Sequence, residues 1–107
     1  MIEIEIRPAE YQVLIGGRRV PFTVREFQMF QCLARQRDRV VTRQEIYACV
    51  WGGGMAHRDR SVDVFVRKVR AKLAAACPGI EFVHTHFGIG YRYAPEPARQ
   101  EAVGGRP

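Results

Sequence analysis

The stretch from Arg58 to Leu73 constrains the fold of this chain most, because its apolar residues recur at the spacing of an amphipathic helix. Val62, Val66, Val69 and Leu73 fall within roughly 40° of one direction when successive residues turn by about 100°. The same stretch carries six cationic and two acidic side chains, a net charge of +4. We therefore predict a helix that buries a valine stripe and exposes cations on its opposite side.

The charge of this helix agrees with the charge of the whole chain. Across 107 residues the net charge is +6 and the isoelectric point is about 9.8, values that favour a polyanionic partner, nucleic acid before membrane. A cationic helix face suits the phosphate-lined major groove of DNA. A solvated surface helix explains the same charge equally well, so the other elements have to decide between the two interpretations.

The N-terminal segment predicts a small antiparallel sheet. Ile2, Ile4 and Ile6 alternate with charged residues, which is the period of a strand with one buried face, and a proline then ends the strand. A second run at residues 11–15 leads into two glycines, after which residues 18–20 return as in a hairpin. We expect three or four strands in this sheet.

Two capping boxes mark the starts of two helices. Residues 23–26 form the first box, and the helix that they open extends to about Arg35. Residues 42–45 form the second box, and its helix extends to about Trp51. Three consecutive glycines at residues 52–54 end the second helix, because glycine is a poor helix former.

The remainder of the chain predicts the cationic helix, a hairpin and a tail. The helix covers residues 59–75, with Asp59 or Ser61 as its cap, and a proline–glycine pair ends it. Residues 82–93 are typical of two strands joined by a glycine turn. Residues 95–107 cannot bury apolar area, and we expect them to form a disordered tail.

Together these elements predict an α+β fold, a winged helix-turn-helix with an N-terminal antiparallel sheet, a three-helix core and a C-terminal β-hairpin wing. In such a fold the third helix enters the major groove of double-stranded DNA, and the wing lies on the backbone or minor groove. The connection between helices two and three is longer than in a minimal helix-turn-helix.

Four motifs, in this order, resemble the OmpR/PhoB-type winged-helix DNA-binding domain, the effector domain of two-component response regulators. They are FTVREFQMF at residues 22–30, RVVTRQEI at residues 39–46 with the later VW, DRSVDVFVRKVRAKL at residues 59–73 and GIGYRY at residues 88–93. The resemblance covers residues 1–94 as one domain. It implies a four-stranded N-terminal sheet and transcription regulation through tandem or dimeric binding to direct-repeat DNA.

The resemblance also implies which residues contact DNA. Positions that face base edges in the family match Ser61, Val64 and Lys68, and positions that contact phosphate or brace the helix match Arg60, Arg67 and Arg70. The remaining residues of the predicted interface are Arg58, Phe65, Thr85, His86, Phe87 and Arg92. The loop at residues 52–57 matches the segment that meets RNA polymerase in activators of the family.

Three departures from the family pattern stand out. Phe87 occupies a wing position that often holds an arginine, so we expect it to pack or to stack on a sugar where that cation enters the minor groove. Phe65 replaces a commonly polar residue of the third helix, and it is either a core residue or a base contact. No phosphoacceptor receiver domain is present in these 107 residues, which is compatible with a cut-out domain or a free-standing regulator.

Several polar residues around this interface are expected to have structural roles. Asp59 and Asp63 lie among cations, so salt bridges explain them better than acid–base catalysis does. Tyr91 and Tyr93 lie on a wing strand, where we expect them to pack under the hairpin rather than to stack on bases. Arg92 between them either contacts phosphate or braces the sheet.

The sequence indicates no other chemistry. Three widely spaced cysteines predict reduced thiols, with Cys32 and Cys49 in the core and Cys77 more exposed. His84 and His86 lie two apart on a strand, but two histidines without a third ligand do not make a metal site. We find no nucleophile–base pair, and we expect no metal, no cofactor and no enzymatic activity.

A soluble cytoplasmic protein without a membrane partner is expected, because no apolar run approaches a membrane span and the N-terminus is not a signal peptide. The competing hypothesis is a winged-helix module that binds a protein instead of DNA. In that case the glycine loop and the first sheet form the working surface, and the third helix is only solvated.

Overall fold

The computed structural model describes residues 2–98 and contains, within that range, three α-helices and two antiparallel sheets. The strands are β1 (Ile4–Arg7), β2 (Gln12–Ile15), β3 (Arg18–Arg19), β4 (Val40–Thr42), β5 (Ile80–His86) and β6 (Gly90–Pro97). The helices are α1 (Val24–Ala34), α2 (Arg43–Val50) and α3 (Ser61–Ala76), and a short 3₁₀ helix covers Pro8–Glu10. In this range no helix combines the length and apolar character that a membrane crossing needs. The predicted α+β winged-helix class is confirmed.

The N-terminal sheet has the strand order β1-β2-β3. Its hairpin turn contains Gly16 and Gly17 with φ angles of +57° and +82°, a conformation that glycine adopts without the strain of a Cβ atom. Ile15 then pairs with Arg18 across the turn. The described residues thus place three strands in this sheet, within the range that the sequence predicts and one fewer than the family resemblance implies.

Both predicted capping boxes are present, and they define the starts of α1 and α2. Thr23 accepts a hydrogen bond from the backbone nitrogen of Glu26, and the Glu26 carboxylate accepts one from the Thr23 nitrogen at 2.8 Å. Thr42 and Glu45 repeat this arrangement at the start of α2. These reciprocal bonds satisfy backbone donors that the first helical turn leaves without a partner.

The wing is a larger sheet than the sequence predicts, because β4 joins the hairpin of β5 and β6 in the order β4-β6-β5. Val41 of β4 lies opposite Tyr91 of β6, and Thr42 lies opposite Gly90. Gly90 is required at this crossing, since a Cβ atom there would come within 2.0 Å of the Val41 carbonyl oxygen. The close approach places the start of α2 directly beside the wing.

Strand β6 extends beyond the predicted end of the domain. Pro97 pairs with Ile80, so residues 95–97 belong to the wing sheet, and the prediction that a disordered tail starts at residue 95 is wrong for them. Pairing of Glu96 and Pro97 with Glu81 and Ile80 of β5 holds this segment in the sheet, although its composition offers little apolar area to bury. The later part of the predicted tail, residues 99–107, lies outside the described residues.

The core connects α1 and α3 to both sheets. Phe27, Phe30 and Leu33 of α1 are at most 1 % exposed, and Phe30 meets Tyr93 of β6 edge to face at 5.3 Å between ring centroids. Burying each such side chain contributes roughly 1.5–3 kcal/mol to folding. Val24 fits the same helical spacing but is 52 % exposed, because it lies in the first turn of α1, at the edge of this packing.

Candidate nucleic-acid interface

Helix α3 has the two faces that its sequence predicts, although it starts at Ser61 rather than at residue 59. Its apolar stripe is at most 1 % exposed and consists of Val62, Val66, Val69 and Leu73. The other side presents Val64, Arg67 and Lys68 to solvent. The stripe fixes which side of the helix faces outward, so these three residues form the accessible surface of its first half.

Two of the predicted DNA-binding arginines lie in the loop before α3 rather than on the helix. Arg58 has a φ angle of +67°, and Arg60 occupies the N-cap position without a side-chain capping bond. Asp59 supplies that bond instead, since its carboxylate accepts from the Ser61 nitrogen at 2.7 Å. Hydrogen bonds from Ser61 hold the pKa of Asp59 below its ordinary value. The Arg60 side chain is 80 % exposed, and its Nε lies 3.8 Å from Asp63 Oδ2.

Phe65 is half-buried and packs against α2. Its ring meets Trp51 edge to face at 5.4 Å between centroids, and Trp51 stacks in turn on Tyr47. The Lys68 ammonium lies 4.8 Å from the centroid of the Phe65 ring. Of the two interpretations of Phe65, core residue or base contact, this packing favours the first; the aromatic ring also supports Lys68 through a cation–π contact.

Arg70 and Thr85 bind each other instead of pointing to solvent. Arg70 Nε donates to the Val83 carbonyl oxygen at 3.1 Å, and its terminal nitrogen donates to the Thr85 hydroxyl. The guanidinium also lies 5.5 Å from the centroid of the Tyr91 ring. These contacts attach α3 to both wing strands, so the geometry favours the helix-bracing role that the resemblance allowed for Arg70.

The wing presents an apolar tip. Phe87 is 90 % exposed and Ile89 is 56 % exposed, on either side of Gly88 with its φ angle of +77°. Behind the tip, Arg92 Nε donates to His86 Nε2 at 3.1 Å, and another Arg92 nitrogen lies 3.8 Å from Glu96. Arg92 therefore braces the two wing strands. Phe87 was expected to pack or to stack on a sugar, and its 90 % exposure shows that it does not pack against the domain.

A polar network joins α2, α3 and the wing. The Tyr91 hydroxyl donates to Asp63 Oδ1 at 2.5 Å, and Arg43 Nε donates to the same oxygen at 2.9 Å. Burial alone would raise the pKa of Asp63, but the hydrogen bonds from Tyr91 and Arg43 outweigh burial and hold the pKa below its ordinary value. Burial and Asp63 raise the pKa of Tyr91. The predicted salt bridge of Asp63 is thus part of a larger, partly buried network, and Tyr91 packs as expected.

The cysteines and histidines hold no metal-ligand cluster within residues 2–98. Cys32 is buried as predicted, and burial together with the neighbouring Cys49 raises its pKa to about 12, so it stays a thiol. Cys49 of α2 is exposed although it lies beside Cys32, so its predicted core position is wrong. His84 Nε2 lies 2.7 Å from the Ala94 carbonyl oxygen inside the wing sheet.

The structure divides the predicted site residues into two sets. One set is accessible around the first half of α3 and the wing tip, and it contains Arg58, Arg60, Ser61, Val64, Arg67, Lys68 and Phe87. The other set is held within the protein by side-chain contacts, and it contains Phe65, Arg70, Thr85, His86 and Arg92. Arg43, which no motif singled out, lies beside these residues, with its Nε 2.9 Å from Asp63 Oδ1 and its guanidinium over the Tyr91 ring.

An exposed cationic helix beside a β-hairpin wing, attached to a three-helix core, defines a DNA-binding winged helix. The sequence model of the family described as "Transcriptional regulatory protein, C terminal" matches residues 17–93. The chain therefore belongs to this family of OmpR/PhoB-type effector domains, as its motifs predict.

Solved structures agree with this assignment. The RstA DNA-binding domain of Klebsiella pneumoniae, determined in complex with the RstA box, is 29 % identical with a TM-score of 0.77, over 87 % of this chain and 92 % of that one. The CssR DNA-binding domain of Bacillus subtilis is 27 % identical with a TM-score of 0.70, over 86 % and 100 %. The AdeR DNA-binding domain in complex with an intercistronic region is 26 % identical with a TM-score of 0.71, over 85 % and 93 %.

Proposed function

We propose that this chain binds double-stranded DNA in a sequence-specific manner to regulate transcription, with α3 in the major groove and the wing on the backbone or minor groove. The observation that carries the proposal is the orientation of α3. Its buried valine stripe leaves Val64, Arg67 and Lys68 on the outside, next to an exposed Arg60. The RstA and AdeR domains, which share this fold, were determined in complex with DNA.

Within this proposal, Ser61, Val64 and Lys68 read base edges. The Lys68 ammonium is a donor suited to the guanine acceptors O6 and N7, and Val64 offers an apolar surface to a thymine methyl group. Val64 is 38 % exposed, and Lys68 is exposed with its Nζ over Phe65. Contact with the aromatic ring restricts where the ammonium lies, which lowers the entropy that a base contact costs.

Arg58, Arg60 and Arg67 contact phosphates, which fixes the register of the domain on the duplex without reading sequence. All three are exposed, and Arg60 forms a long ion pair with Asp63 at 3.8 Å. The salt slope is the steepness with which the logarithm of the binding constant falls as the logarithm of the salt concentration rises. Each phosphate that such a cation neutralises releases counterions and adds about 0.9 to this slope.

At the wing tip, Phe87 contacts the sugar walls of the minor groove in place of a cation. Its 90 % exposure and the apolar Ile89 nearby support an apolar contact of this kind. Arg92 and His86 act behind it by keeping the two strands together. Arg70 and Thr85 do the same between the wing and α3, so neither contributes a direct phosphate contact.

The wider biological setting follows from the family. We propose tandem or dimeric binding to direct repeats, because one domain offers few phosphate contacts and an isolated copy binds weakly. Cytoplasmic location, control by a two-component phosphorelay and contact with RNA polymerase through residues 52–57 belong to the same proposal. The shape of that loop depends on Gly52 and Gly53, because their φ angles of +83° and +72° lie in a region that favours glycine.

A gel-shift assay separates this function from the protein-interaction alternative. The chain is mixed with a random DNA pool at low and moderate salt, and the bound fraction is amplified and sequenced over several rounds. We expect binding that weakens with salt and a recovered consensus, which binds more tightly when it is duplicated as a direct repeat. Absence of binding at low salt, or recovery of no consensus, would contradict sequence-specific recognition and favour a protein partner.

A further inference from the structure

Arg43 lies where the three parts of the proposed interface meet. It is the first residue of α2 and directly follows β4, whose Val41 and Thr42 pair with Tyr91 and Gly90 of the wing. The strand pairing therefore holds the start of α2 against the wing. From this position the Arg43 side chain reaches both α3 and β6.

Two contacts orient the Arg43 guanidinium. Its Nε donates to Asp63 Oδ1 at 2.9 Å, and its central carbon lies 5.5 Å from the centroid of the Tyr91 ring. Asp63 is itself fixed, because the Tyr91 hydroxyl donates to the same oxygen at 2.5 Å. A guanidinium has five N–H donors, and Asp63 binds through Nε, so the two terminal nitrogens are not used by this carboxylate.

The guanidinium borders an open pocket of about 590 Å³ between α2, the loop before α3 and the wing tip. Its charged lining consists of Arg43, Arg58, Arg60, Asp59 and Asp63, and Gly88 of the wing closes one side. Asp59 accepts from the Ser61 nitrogen, and Asp63 Oδ1 accepts from Tyr91 and Arg43, while its other oxygen lies 3.8 Å from Arg60 Nε. The lining has three positive and two negative side chains, and both acids already accept hydrogen bonds from the protein. The pocket is therefore suited to an anion.

The surroundings of the pocket identify the anion. The exposed Arg60 lies on one side, just before α3, and the apolar wing tip lies on the other. A duplex that contacts α3 and the wing together has its sugar–phosphate backbone between them. The chemistry is that of a phosphodiester, for which an oriented arginine is better suited than a lysine.

We propose that Arg43 is a further phosphate-binding residue of the DNA interface, and that Asp63 and Tyr91 are positioning residues that hold its guanidinium toward the duplex. The proposal rests on the function proposed above and adds a contact from α2 to those of α3 and the wing. Arg43 is 30 % exposed in its side chain, and Asp63 is 18 % exposed. A phosphate can thus reach the arginine, while the carboxylate that orients it stays shielded.

The first experiment measures the salt dependence of DNA binding for Arg43→Ala in the full chain. Loss of one phosphate contact lowers the salt slope by about one unit and weakens binding to the selected site and to random DNA by similar factors. Arg7→Ala is the matched control, because Arg7 forms the same kind of Nε–carboxylate pair, with Glu5 at 2.8 Å, in the N-terminal sheet. Its slope stays at the wild-type value.

The second experiment tests positioning with Asp63→Ala, alone and combined with Arg43→Ala. Removing an acid near a polyanion strengthens binding when that acid has no other role. If Asp63 orients Arg43, its removal instead weakens binding, by roughly threefold to tenfold, and does so only while Arg43 is present. Asp63→Asn and Tyr91→Phe, which preserve side-chain shape, replace Asp63→Ala if thermal unfolding shows that the alanine variant is not folded.

Each result has a definite meaning. A wild-type slope in Arg43→Ala overturns the phosphate contact. The positioning role is overturned if Asp63→Ala changes the DNA affinity by the same factor in the wild-type chain and in Arg43→Ala. It is also overturned if Asp63→Ala tightens binding in the wild-type chain. If the unsubstituted chain binds no DNA at low salt, the proposed function fails as a whole. If it binds and Arg43→Ala behaves like Arg7→Ala, only the role of Arg43 fails.

Discussion

The two halves of α3 carry similar cations but use them differently. In the first half, Arg67 and Lys68 are exposed, and among the contacts of residues 2–98 neither takes part in a hydrogen bond or an ion pair. In the second half, Arg70 binds the wing, and Lys72 Nζ donates to Glu26 Oε1 at 2.6 Å and to the Pro21 carbonyl oxygen at 2.8 Å.

The difference arises from the neighbours of each half. The second half packs against α1 and β5, whose acceptors lie within reach of its cations. The first half faces solvent between the loop and the wing tip, so its cations remain available to a ligand. One helix thus braces the fold at one end and leaves exposed cations at the other, where we propose that it recognises DNA. The following substitutions test that division.

The largest effect is expected for Lys72→Ala, and it is an effect on stability. Glu26 is 4 % exposed and would keep a buried charge without its cation, which lowers the free energy of unfolding by about 3 kcal/mol. Urea unfolding measures this loss. Lys68→Ala is the control from the other half of the helix, with a change within about 0.5 kcal/mol. Equal losses in the two variants would remove the distinction between the halves.

The next effect is that of Lys68→Ala on recognition. We expect it to cost on the order of 1–3 kcal/mol on the selected site and to relax the preference at one base position, because a base contact is lost. Titrations of the selected site and of its single-base variants provide the measurement. A loss of the same size on selected and random DNA would exclude a base-reading role for Lys68.

The third prediction compares Arg67→Ala with Arg70→Ala, and both effects are expected to be smaller than those above. If Arg67 contacts phosphate as proposed, Arg67→Ala lowers the salt slope by about one unit and leaves stability unchanged. Arg70→Ala leaves the slope unchanged and lowers the free energy of unfolding by about 1 kcal/mol, since it loses its bonds to Val83 and Thr85. Salt titrations and urea unfolding of both proteins test the pair, and reversed results would refute it.

The smallest effect concerns pH. Burial alone would raise the pKa of Glu26, but hydrogen bonds from Lys72 and Thr23 outweigh burial and hold the pKa of the folded state below its ordinary value. A lowered carboxylate pKa contributes stability that is complete above the unfolded value and is lost as pH falls through the folded value.

The free energy of unfolding should therefore decline below about pH 4.5, and less steeply in Glu26→Gln. Urea unfolding at a series of pH values provides this measurement. An unchanged decline at low pH in Glu26→Gln would show that Glu26 does not carry the pH dependence and would assign it to the other carboxyl groups whose pKa is lowered, Glu45, Asp59 and Asp63.

Local patterns were sufficient to predict the three helices, the N-terminal hairpin and the wing hairpin, in their order along the chain. The capping boxes at Thr23 and Thr42, the glycine hairpin and the valine stripe of α3 are each defined by residues close in sequence, and all are present in the structure. The base-reading and phosphate-contacting roles stay predictions, because they depend on DNA rather than on the fold.

Contacts between distant residues decided the rest. Strand β4 joins the wing through Gly90, and Pro97 continues β6, because each finds a partner strand far along the chain. Charge and helical spacing alone could not show that Arg70 is bound and Arg67 is exposed, since both are cations on one helix.

The sequence by itself determined that one face of α3 must be buried and that cations must occupy the opposite side, because side-chain spacing along a helix is set by backbone geometry. The tertiary structure alone decided which cations remain available. An arginine or lysine is free or bound according to the acceptors that packing brings near it. For Arg43, Arg70 and Lys72 those acceptors come from other elements of the chain.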